Sequence, residues 1–110
     1  MKQLKRSQCA ILPLVLKGKW YDLIKSGEKK EEYRAQTPYW RRRFSNFVMS
    51  LDNGEGHLVI AFSRGYRKPD MFFEFRGMHF FVGCRHPDWG EPHSPHYALF
   101  LGDRVNIRET

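Results

Sequence analysis

Apolar residues first gather in CAILPLVL, Cys9 to Leu16, a short and partly β-branched run of the length of a buried strand. The spacing then lengthens. Leu16, Trp20, Leu23 and Ile24 recur at three and four residues, the period of an amphipathic helix, and Gly27 stands where a glycine closes a helix in the left-handed conformation. The polar segment KKEEYRA reads as a short strand over residues 30–35. A second helical stretch opens at Thr37, which can cap, with Pro38 suited to the first helical position. Trp40, Phe44, Phe47, Val48 and Leu51 mark its apolar face, and Asp52, Asn53, Gly54 and Gly56 then form a loop. Beyond the loop the rhythm is that of strands: HLVIAFSR, MFFEFRG, HFFVGCR and YALFLGDRVNI, divided by turns carrying Gly, Pro or Asp. Two helices near the start and several strands after them predict an α+β fold around a small curled sheet or barrel.

Composition narrows the class. The 110 residues suit one domain, residues 1–110, and 41% hydrophobic with 15% aromatic residues supplies an aromatic-rich core. No apolar run nears the roughly 20 residues a membrane helix needs. The first residues, basic and then briefly apolar, superficially resemble a signal peptide. Pro13 breaks that run and no small-residue cleavage site follows, so the reading is a strand of a cytoplasmic protein. Cys9 and Cys84 are too few for a disulfide framework and fit reduced thiols. Charge changes the picture more. Nineteen Lys and Arg against 12 acidic residues give +7, a surplus that draws a small domain to polyanions through counterion release, or simply keeps it soluble.

The densest polar chemistry lies in SGEKKEEYR, Ser26 to Arg34. Period two puts Lys30, Glu32 and Arg34 on one strand face and Glu31 and Tyr33 on the other, while Lys29 lies in the turn. Two readings stand. One is a solvated edge strand whose charges block pairing with other chains. The other is a cleft wall where Glu32 accepts from a nucleobase amino group and Lys29 and Arg34 meet phosphate or carbonyl oxygens. In YWRRRF, Trp40 and Phe44 turn inward and Arg41, Arg42 and Arg43 spread over the outer faces, as a solvated surface or a phosphate-contacting ridge. In RGYRK, Arg64 to Lys68, a basic turn with Arg67 and Lys68 holds Tyr66, which either packs or stacks on a base. Cys84, His86, His93 and His96 share one segment, but their C-x-H and H-x2-H spacings, interrupted by Pro92 and Pro95, fit zinc poorly. No metal or other cofactor is expected, and Trp89 reads as a core anchor rather than a lid.

GEKKEEYR also matches the signature G-x-K-x-x-E-x-R at Gly27, Lys29, Glu32 and Arg34, directly after LVLKGKWYDLIKSG, a strand-then-helix segment. With PYWRRRF, FSRGY and PDWG, the chain resembles compact bacterial and phage ASCH domains of the PUA-like superfamily over nearly its whole length. The resemblance implies a PUA-like small β-barrel with two flanking helices in the N-terminal half, and a cleft beside the first helix lined by the signature residues. It implies binding of RNA, another nucleic acid or a nucleotide-like small molecule. The expected ligand residues are Gly27, Lys29, Glu32, Arg34, Arg64 and Tyr66, with Arg41, Arg42, Arg43, Arg67 and Lys68 as the nucleic-acid surface. One enzymatic branch of that family hydrolyses the acyl amide of N4-acetylcytidine with a Lys, a Thr and a Glu. Its Lys corresponds to Lys29, but its nucleophilic Thr falls on Glu32, and a carboxylate does not replace an activated hydroxyl in acyl transfer. Binding without turnover is therefore expected. The alternatives are a small ribonuclease- or amidohydrolase-like enzyme, with Lys29 and Glu32 as catalytic groups, and a basic module that meets a protein partner.

Overall fold

The structure, a computed structural model, describes residues 1–51 and 54–109; Asp52 and Asn53 of the expected loop lie outside it. The fold is α+β. Its elements are β1 (Lys2–Lys5), β2 (Cys9–Leu16), α1 (Gly18–Lys25), β3 (Glu31–Ala35), α2 (Pro38–Val48), β4 (His57–Arg64), β5 (Met71–Phe81) and β6 (His96–Arg108). The six strands form one mixed sheet in the order β1-β6-β5-β4-β2, with β3 also on β6. The long β6 carries β3 antiparallel from His96 to Phe100 and β1 parallel from Val105 to Arg108.

Alternation along the strands builds two apolar layers. Leu14, Ile60, Phe62 and Leu99 face the helices and pack with Ile24 and Phe44. Their neighbours Val59 and Val105 turn to the other side and meet Leu4 of β1. Local signals set the helices. Thr37 Oγ1 accepts from the Trp40 backbone N–H at 3.3 Å, and Pro38 opens α2. At the end of α1, Gly27 adopts φ 88°, its N–H donates to the Ile24 carbonyl and the Lys29 N–H donates to the Leu23 carbonyl.

The sheet is not the closed small barrel expected. Among the described residues no ladder returns from β2 to β1 or β3. The free edge of β2 is instead capped by guanidinium groups: Arg34 Nη2 donates to the Val15 carbonyl at 3.1 Å and Arg43 Nη2 to the Pro13 carbonyl at 3.5 Å. Pro13 has no N–H to offer a ladder, so the edge stays open there. Three further differences are local. MFFEFRG and HFFVGCR are not two strands but one, β5, bent by register shifts between Phe73 and Gly77 that replace the expected turn. The helix α2 ends at Val48, short of Leu51, and Val48 is exposed. The strand β1 has only Leu4 buried, too short a pattern to show a period in the sequence. No helix among the described residues is long and apolar enough to cross a membrane.

Candidate functional site

Three signature side chains converge because a turn and a strand meet under α1. The left-handed Gly27 reverses the chain so that Lys29 points inward, and period two on β3 puts Glu32 and Arg34 beside it. Lys29 is only 2% exposed and Glu32 only 6%. Lys29 Nζ donates to the Trp89 carbonyl at 2.6 Å and lies 3.2 Å from Glu32 Oε1. Arg34 Nη1 donates to Glu32 Oε2 and to the Tyr33 carbonyl. Glu32 thus bridges two cations, and a lone pair stays uncommitted on each oxygen. Arg34 keeps its Nε–H and one Nη2–H beyond the bonds it makes to the protein. With all three ionised the triad carries one net positive charge, and Lys29 and Glu32 are nearly closed to water while Arg34 is partly exposed. Burial lowers the Lys29 pKa, and the Glu32 carboxylate only partly offsets this.

The triad walls a cleft of about 250 Å³ with Leu16, Lys17, Trp20, Tyr33 and Gly90. Lys29 Nζ lies 4.4 Å from the centre of the Tyr33 ring and 5.2 Å from that of Trp20, so aromatic faces stabilise the buried ammonium. The loop between β5 and β6 forms the roof. Gly90 approaches Trp20 so closely that a Cβ there would lie 2.6 Å from the indole. Glu91 anchors this roof. Its carboxylate accepts from the Arg85 and His86 backbone N–H groups at 2.8 Å each, from the Arg85 guanidinium, and from His96 Nε2 at 2.7 Å. Burial alone would raise the Glu91 carboxyl, but these donors outweigh it and hold it down at about 2. Burial, with the carboxylates of Glu31 and Glu91, pushes the Tyr33 phenol well above its usual range.

Several expected site residues lie elsewhere. Gly27 shapes the turn but does not line the cleft, and Lys30, on the same strand face by period, is exposed and takes no part in the triad. Arg64 pairs with Asp22 at 3.2 Å, and neither it nor Tyr66 lines the cleft. Tyr66 is 99% exposed, so the packed alternative for it does not hold. Arg41 and Arg42 are exposed on α2, and Arg67 and Lys68 at the β4–β5 turn. Arg43 is not a free member of the ridge, because its guanidinium folds back over Trp40, 5.3 Å from the ring centre, to reach Pro13. Trp89 does not anchor the core; it is half-buried and stacks on His86, with ring centres 4.1 Å apart, and its carbonyl holds Lys29.

The four residues weighed for zinc do not gather. Among the described residues, Glu31, His86 and Glu91 bring ligand atoms within 4.8 Å of one another. Arg85 already bridges those two carboxylates, at 2.6 Å and 2.9 Å, and so offsets one of their two negative charges. A larger space of about 710 Å³ runs along Ser7–Ile11 and Glu55–His57, where no Lys or Arg of the described residues lines it. Of these two spaces, the smaller cleft is the one that offers cations to an anionic ligand. Trp20, Tyr33, Gly90 and Glu91 were not expected at the site. Trp20 and Tyr33 read as packing positions, and nothing in the sequence links Glu91 to a cleft sixty residues before it. Compared with family models, with curated proteins and with solved structures, the chain matches none.

Proposed function

We propose that the domain binds single-stranded RNA and takes one base into the cleft at Lys29, Glu32 and Arg34. The cleft itself carries this reading: about 250 Å³ walled by a buried Lys–Glu–Arg triad. That space is below the roughly 300–1,000 Å³ typical of pockets for drug-sized ligands, so it suits a single base rather than a larger molecule. Glu32 has lone pairs to accept from an exocyclic amine, and Arg34 has N–H groups left for a carbonyl or phosphate oxygen. The surplus charge of +7 supports a polyanionic partner, and the likeness of Gly27–Arg34 to the ASCH signature points the same way.

One observation favours a second reading, hydrolysis of RNA or of a modified nucleoside. Burial moves Lys29 toward the neutral amine, the form that can accept a proton. The same experiment tests both. The purified domain is titrated with single-stranded RNA, duplex RNA and DNA over a salt series, and the RNA is then analysed for products. Tightest binding to single-stranded RNA, with the RNA recovered intact, is the expected result. Absence of binding at low salt would overturn the proposal, and cleaved or deacylated product would move the function to the hydrolytic reading.

A further inference from the structure

The β4–β5 turn holds an aromatic ring that contributes nothing to the core: Tyr66 is 99% exposed. Such a side chain invites mobility, yet the turn beneath it is fixed. The Gly65 N–H donates to the Leu16 carbonyl at 2.8 Å, the Arg67 N–H to the Gly65 carbonyl at 2.8 Å, and the Asp70 N–H to the Phe62 carbonyl at 3.0 Å. Leu16 and Lys17 line the cleft, so one backbone hydrogen bond joins its wall to the residue before Tyr66. The surroundings are cationic, since Lys17, Lys19, Arg67 and Lys68 are all exposed. An exposed ring on a fixed support amid positive charge is the arrangement by which proteins hold unpaired bases.

We infer that Tyr66 is a second base platform: an RNA strand with one base in the cleft stacks a nearby base on the Tyr66 ring. The phosphates between the two bases run past Lys17, Arg67 and Lys68. The inference rests on the RNA reading of the cleft and adds to it a footprint longer than one nucleotide. Stacking needs the ring face and not the hydroxyl, so phenylalanine serves as well as tyrosine.

The test compares affinities of the parent, Tyr66→Ala and Tyr66→Phe for single-stranded RNA pentamers and for the four nucleoside 5′-monophosphates. Tyr66→Ala should weaken the pentamers by between about five- and 150-fold, the range for loss of one stacked base. It should leave the monophosphates and the melting temperature unchanged, and Tyr66→Phe should match the parent. Pentamer affinity unaltered in Tyr66→Ala would overturn the inference while leaving the cleft reading intact. Equal losses for pentamers and monophosphates would also overturn it, because both would then share one site. A parent that binds neither probe would remove the RNA reading and the platform together.

Discussion

Glu32 has two duties that substitution can separate. It serves as the shared counter-charge of Lys29 and Arg34, and in the proposed complex it accepts from a base. Glu32→Gln keeps the shape but leaves two cations without their counter-charge, and breaking a buried pair costs about 3–5 kcal/mol. The same change sets an amide donor against an exocyclic amine, so base preference should shift by roughly 1–3 kcal/mol. Melting curves and a comparison of the four bases check the two effects; an early melt with unchanged preference would make Glu32 a scaffold residue only. Glu91 gives a second test, in pH. Its carboxyl lies at about 2 in the folded protein against an ordinary 4.5, so the folded state favours the ionised form. That stability is fully present above about 4.5 and is lost as pH falls toward 2, an effect on the order of 3 kcal/mol. Glu91→Gln should flatten the acid limb of a stability-versus-pH curve followed by denaturant melts. The pairing of Glu32 with Arg34 was readable because strand period is a local property, whereas Lys29, in the turn, was picked out by the G-x-K-x-x-E-x-R match. Glu91 was not readable, because its role comes from donors on Arg85, His86 and His96 that only the folded loop and the start of β6 bring together.

At the level of elements, the left-handed Gly27 both ends α1 and aims Lys29. A Cβ there would meet nothing within 4 Å, so the cost of Gly27→Ala is conformational rather than steric. At least about 1 kcal/mol of destabilisation is expected, measured by chemical denaturation, and a parental midpoint would contradict it. Thr37→Ala removes the side-chain acceptor that caps α2 and should cost about 1 kcal/mol by the same measurement. The end of α1 and the start of α2 were legible in the sequence, since caps and breakers act within a few residues, but the end of α2 at Val48 was not. The strands were less so. A glycine reads as a turn whether it ends a strand or sits within a bulge, and at Gly77 the pairing of β5 with β6 decided for the bulge. Closure of the sheet could not be read at all, for it depends on which side chains reach the edge of β2.

For the whole molecule, charge makes the broadest prediction. Binding to single-stranded RNA should weaken linearly in log salt, by about 0.7 log units for each phosphate contacted. Arg41→Gln with Arg42→Gln, both exposed on α2, tests whether that ridge contributes: a shallower slope places phosphates there, and an unchanged slope confines the path to the cleft and the β4–β5 turn. The arrangement around β6 has a different consequence. This strand alone pairs with β1, β3 and β5, and it is the last of the six in chain order. During vectorial synthesis the earlier strands therefore emerge before the partner that will cover them. Nascent chains halted ahead of His96 should resist proteases poorly and attract chaperones, while chains released beyond Arg108 should gain protection in one cooperative step.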